Sequence, residues 1–110
     1  MISKLRDRLV NLFHKKALAH VDVLNDDLIS GWAYNQAKPN EELVLDIYID
    51  DYKIGSVNAN IYREDLKRLK MGSGNHGFSF NIPTDIKLPD KGAIIIKSKN
   101  IEEPLTLLPS

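Results

Sequence analysis

Leu43-Val44-Leu45-Asp46-Ile47-Tyr48-Ile49, then Asp50-Asp51, then Tyr52-Lys53-Ile54-Gly55-Ser56-Val57 is the stretch that decides the fold. The first seven residues are aliphatic, aromatic and β-branched, the composition of a half-buried strand. Tyr48 alternates with Ile47 and Ile49 and so points to the opposite, more exposed face. Asp50-Asp51 is a turn candidate, and the residues after it read as a second strand.

The same period continues on both sides. Upstream, Ala19-His20-Val21-Asp22-Val23 alternates, Asn25-Asp26-Asp27 supplies a hairpin-type turn, and Leu28 to Tyr34 follows. Downstream, Phe78-Ser79-Phe80-Asn81-Ile82 alternates and stops at Pro83. Ala93 to Lys97 is β-branched after Gly92, and Leu105 to Leu108 follows Pro104. About seven short strands with turn signals between them predict a mostly β chain, an antiparallel immunoglobulin-like β-sandwich rather than a parallel sheet. One segment breaks the pattern. Tyr62 to Met71 has helix formers, with apolar residues at 62, 66 and 69, and predicts a short crossover helix. Gly72-Ser73-Gly74-Asn75 ends it, because glycine accepts the positive φ of a helix C-terminus.

Residues 1–16 differ from the rest. Ile2, Leu5, Leu9, Leu12 and Phe13 recur at helical spacing behind a Ser3 N-cap, predicting an amphipathic helix and an interface stripe. Five basic residues against one acidic give this head +4. Residues 17–110 hold ten basic and fourteen acidic residues and carry −4, so the chain of 110 residues is neutral in total. Two domains are expected to be too small to fold separately at this length, so the division is a helix over 1–16 and a β-sandwich over 17–110. Arg6, Asp7 and Arg8 interrupt any signal-peptide core, so a cytoplasmic chain is expected, in peripheral contact with the inner membrane at most. Zero net charge argues against a nucleic-acid partner. The absence of cysteine excludes disulfides, a thiol nucleophile and cysteine-ligated metals.

Gly31-Trp32-Ala33, Ile54-Gly55 with Ala59-Asn60, Tyr62-Arg63-x-Asp65-Leu66, and Gly72-x-Gly74-x-His76-Gly77-Phe78 with Pro83 occur here in order. Over residues 20–100 this resembles a small β-sandwich accessory domain found with bacterial glycosyltransferases and cell-surface polysaccharide enzymes. The resemblance implies a non-catalytic module of surface-glycan biosynthesis, partnered by a glycan or by a glycosyltransferase. It carries over no functional residues.

The residues themselves supply the site candidates. Aromatic rings stack on pyranoses, which points to Tyr34, Tyr48 and Tyr62; Trp32 reads as core, because Gly31 and Ala33 beside it suggest tight packing. Arg63, with Asp65, either holds a ligand or fixes the crossover through bidentate hydrogen bonds. His76 sits in the glycine loop. The set is therefore Tyr34, Tyr48, Tyr62, Arg63 and His76 for a ligand, and Ile2, Leu5, Leu9, Leu12 and Phe13 for an interface; the alternative function is a structural or self-association module that forms a homodimer or docks through the N-terminal helix, with no small-molecule ligand. Gly72-x-Gly74-x-x-Gly77 lies after a helix and before a strand, the reverse of a phosphate loop. His14, His20 and His76 lack ligand spacing, and Asp26-Asp27 and Asp50-Asp51 lack the twelve-residue calcium pattern. No catalytic group, cofactor or metal is expected.

Overall fold

The computed structural model describes residues 17–86, 94–101 and 105–107. The N-terminal stripe Ile2, Leu5, Leu9, Leu12 and Phe13 lies outside the described residues. The strands are β1 (Ala17–Leu24), β2 (Leu28–Asn35), β3 (Leu43–Ile49), β4 (Tyr52–Ala59), β5 (Ile61–Tyr62), β6 (Asn75–Asn81), β7 (Ile94–Ser98) and β8 (Thr106–Leu107), with one helix, α1 (Glu64–Arg68), between β5 and β6. They form two sheets, ordered β5-β6-β2-β1-β8 and β4-β3-β7. Every neighbouring pair is antiparallel except β1 and β8. That exception departs from the all-antiparallel expectation. The chain crosses from β7 in one sheet to β8 at the far edge of the other, a crossover that allows strands to run parallel.

Period-two alternation builds the core. Leu43, Leu45 and Ile47 of β3 are wholly buried, facing Ile29 and Ala33 of β2 and Phe78 and Phe80 of β6 across the two sheets. Each buried aliphatic side chain of this size contributes about 1.5–3 kcal/mol. The Phe80 ring lies directly over Gly55 of β4, where an added Cβ would come within 2.6 Å of it. The result is a mostly β, sandwich-like architecture.

Three register shifts occur among the described strands, in the β1–β2, β3–β4 and β5–β6 pairings. In β1 the pairing passes from Val21 opposite Gly31 to Val23 opposite Ser30, leaving Asp22 as the extra residue. Gly31 tolerates this close approach because it has no side chain: a Cβ there would sit 1.9 Å from the His20 carbonyl oxygen. In β4 the pairing passes from Gly55 opposite Ile47 to Lys53 opposite Tyr48, so Ile54 is the extra residue. Such bulges re-aim the side chains beside them.

Trp32 is buried, but not between the sheets. It points with Tyr34 to the outer face of the five-stranded sheet and packs there with Leu66 of α1, flanked by Leu18 and Met71. The crossover is shorter than its sequence predicts. Tyr62 belongs to β5, opposite Asn75, and Arg63 is extended, so the helix begins only at Glu64. Leu69, expected on the apolar side, is 66% exposed. The end of the helix also corrects the expectation of a glycine stop. Lys70 takes the left-handed conformation, φ 60°, while its N–H donates to Lys67 and the Met71 N–H donates to Leu66, both at 3.0 Å. This is a Schellman closure with lysine where glycine is usual. Gly72 and Gly74, φ 56° and 85°, shape the turn that follows. A left-handed non-glycine residue costs about 1–2 kcal/mol. Lys70→Gly is therefore expected to stabilise the fold by about 1 kcal/mol, read as a higher urea midpoint; an unchanged or lower midpoint contradicts the strain assigned to Lys70.

Candidate functional site

The outer face of the three-stranded sheet carries the chemistry most distinct from the rest of the molecule. Cross-strand register sets Asn58 beside Val44, Ser56 beside Asp46 beside Lys97, and Lys53 beside Tyr48 beside Ile95. Lys99 joins the first row, its backbone N–H donating to the Val44 carbonyl at 2.8 Å. The bulge at Ile54 is what brings Lys53 opposite Tyr48. The Lys97 ammonium lies 5.0 Å from the centre of the Tyr48 ring, a cation–π arrangement.

Asp46 organises two of the three lysines. It accepts a hydrogen bond from the Ser56 hydroxyl at 2.6 Å and lies 3.2 Å from the Lys53 ammonium and 3.6 Å from that of Lys99. Burial pushes its carboxyl pKa up, but the hydrogen bonds from Ser56 and Lys53 and the charges of Lys53 and Lys99 outweigh this and hold it below the ordinary value. Asp46 therefore stays ionised and draws Lys53 and Lys99 toward the middle of the face. Three lysines against one carboxylate leave a positive surface on a body whose net charge is −4.

The five expected ligand residues do not form one site. Tyr48 is on this face. Tyr34 and His76 are buried against each other, with ring centres 5.0 Å apart, on the other sheet. Tyr62 is half exposed on β5, its hydroxyl donating to Glu64 at 2.7 Å. All three guanidinium nitrogens of Arg63 donate to neighbouring carboxylates. Its Nε and Nη2 donate to the two oxygens of Asp65 at 3.0 and 2.7 Å, and its Nη1 donates to Asp22. Asp22, turned outward by its bulge, also meets His20 at 3.3 Å. The Arg63 backbone N–H donates to Gly74 at 3.0 Å. Arg63 thus ties together β1, α1 and the glycine loop. The residues that sequence reading passed over are Lys53, Lys97, Lys99, Asp46, Ser56 and Asn58. Lys97 near the end of β7 and Lys99 just beyond it were the available signal, since a two-residue spacing in extended chain puts both on one face.

Comparison with known proteins yields nothing: no family model, no curated protein and no solved structure matches this chain.

Two outcomes follow from these contacts. Arg63→Ala leaves the two carboxylates and the crossover unclamped, and is expected to cost about 1–3 kcal/mol with faster amide exchange over 72–78; exchange unchanged there would remove the clamp. His76 is 1% exposed, and neither ring nitrogen has a hydrogen-bond partner among the described residues. Burial lowers its pKa from the usual 6.5, opposed by the nearby Pro39 carbonyl. The folded state then binds fewer protons than the unfolded chain below pH 6.5, so this part of the stability is complete above that pH and lost as pH falls beneath it. His76→Phe is expected to flatten the urea-midpoint profile between pH 7 and pH 5 relative to wild type; an equally steep profile refutes it.

Proposed function

We propose that this chain is a non-catalytic binding module that recognises an acidic glycan on the outer face of its three-stranded sheet. One observation carries the reading: Lys53 and Lys97 stand by Tyr48 and Lys99 by Asp46 on one face of the three-stranded sheet, with Ser56 and Asn58 among them. Neighbouring strands stand about 4.8 Å apart, so the lysine rows suit a flat extended chain bearing carboxylates, sulfates or phosphates. The serine hydroxyl and the asparagine amide offer hydrogen bonds to its hydroxyls.

Several features favour this reading over others. Single-stranded nucleic acid calls for successive aromatic platforms, whereas this face has one ring, already covered by Lys97. Catalysis by general acid calls for a carboxyl that can hold a proton, whereas Asp46 is kept ionised by its partners. The ordered motifs over residues 20–100 support a place in bacterial surface-glycan assembly beside a glycosyltransferase. Strand pairing supports an immunoglobulin-like topology within the sandwich: β1-β2-β6-β5 in one sheet, β4-β3-β7 in the other, and the last strand running parallel to the first. The location proposed is cytoplasmic. Consistent with this, no helix among the described residues is long and apolar enough to cross a membrane.

Affinity electrophoresis through gels containing a polyuronate or a neutral dextran tests the reading. Wild type is expected to be retarded by polyuronate and not by dextran. Lys97→Glu/Lys99→Glu is expected to lose at least tenfold in affinity, with its melting temperature within a few degrees of wild type. Equal retardation by both gels, an unaffected double variant, or stronger retention by single-stranded RNA than by polyuronate would overturn it.

A further inference from the structure

Lys53 and Lys99 reach Asp46 from opposite directions. Lys53 stands on β4 opposite Tyr48, two residues along β3 from Asp46. Lys99 follows β7 with its backbone N–H on the Val44 carbonyl, two residues the other way. Their ammoniums nonetheless converge on one atom. Lys53 Nζ is 3.2 Å and Lys99 Nζ 3.6 Å from Oδ1 of Asp46, the same oxygen that accepts from the Ser56 hydroxyl at 2.6 Å. Lys97 behaves differently: it is directly opposite Asp46 on β7, yet its ammonium lies over the Tyr48 ring. Position in the sheet alone therefore does not bring a lysine to this carboxylate.

Two ammoniums this close repel each other, and the carboxylate between them offsets the repulsion. The hydrogen bond to Asp46 holds the Lys53 pKa above its ordinary value against the opposing effect of burial, and the Asp46 charge adds to it, so Lys53 stays charged. Exposure separates the roles. The Asp46 side chain is 12% exposed, whereas those of Lys53 and Lys99 are 42% and 50% exposed. An incoming anion thus meets the two ammoniums and not the carboxylate beneath them. Ammoniums that share one oxygen at these distances lie within the span of a single carboxylate or sulfate making two charge-assisted hydrogen bonds of about 2.8 Å.

We propose that Asp46 is a positioning residue that holds Lys53 and Lys99 as a paired seat for one oxyanion group of the bound chain. The seat belongs to the acidic-glycan face and rests on that reading. It narrows the ligand to a chain with an oxyanion that two lysines grip together, whereas a surface of independent lysines responds only to charge density.

Affinity electrophoresis in polyuronate and in dextran sulfate tests the seat, the two gels separating a carboxylate from a sulfate as the seated group. Asp46→Asn makes the face more positive, yet it is expected to weaken retention about fivefold, because the two ammoniums part. Lys53→Met and Lys99→Met are each expected to lose about fivefold, and the double variant only about twofold more than either, whereas independent lysines give losses that multiply. Both lysine side chains are half exposed, so this pair of variants decides the matter even where Asp46→Asn does not fold. Side-chain ¹H–¹³C spectra of the lysine ε-methylene groups read the positioning without any glycan. The Lys53 and Lys99 signals are expected to stand apart from those of the other lysines in wild type and to merge with them in Asp46→Asn, while the amide spectrum of β2 and β6 is kept. Unchanged or tighter retention of Asp46→Asn, lysine losses that multiply, or ε-methylene signals already merged in wild type would each overturn the proposal and leave the glycan reading standing. A wild type retarded by neither gel removes both.

Discussion

β2 is buried on both sides, and the rest of the molecule answers to that constraint. Ile29 and Ala33 point toward the second sheet, while Trp32 and Tyr34 point the other way. A sandwich strand ordinarily needs a cover on one face only. Here the second face carries the largest side chain in the protein, so a further element must lie over it. The β5–β6 crossover is that element: Leu66 descends onto Trp32 and Tyr34, and Arg63 anchors the crossover to the Asp22 bulge. The helix is five residues long and would not persist alone. It is held by what it covers and by that anchor.

This arrangement also draws the Arg63 cluster into holding the fold. An arginine, two aspartates and a histidine beside a tryptophan resemble a recognition surface. Yet each of the three guanidinium nitrogens already donates to a carboxylate, and Trp32 is buried. The free chemistry is on the opposite face of the molecule. There Asp46 binds two lysines without neutralising them, and a third rides over Tyr48.

Most strands were legible because alternation is a local property. The run Leu43 to Ile49 matches β3 end to end, and Asn25 and the Asp50-Asp51 pair mark their turns through short polar side chains; the side-chain Oδ1 of Asn25 accepts from the Asp27 and Leu28 N–H groups at 2.8 and 2.9 Å. The crossover was legible in part. Its helix formers announced a helix, but Tyr62 was taken by a β pairing with Asn75, thirteen positions away, which no helical period reveals. Lys70 escaped notice because glycine usually fills the left-handed position of a Schellman closure, and the glycines beyond it drew attention instead.

From the sequence alone came the β class, the turn positions, the inward and outward parity of β3, and the opposite charges of head and body. Each depends on neighbours within a few residues, where period and propensity act directly. Tertiary structure alone decided that Trp32 lies outside the sandwich under α1, that Arg63 is consumed by Asp22 and Asp65, and that Tyr34 and His76 are buried. It also decided that β7 pairs with β3, placing Lys97 beside Tyr48 and Lys99 beside Asp46 from 49 and 53 positions away. Which strands become neighbours is settled by the fit of whole faces across the core, and a one-residue bulge is enough to change which side chains meet.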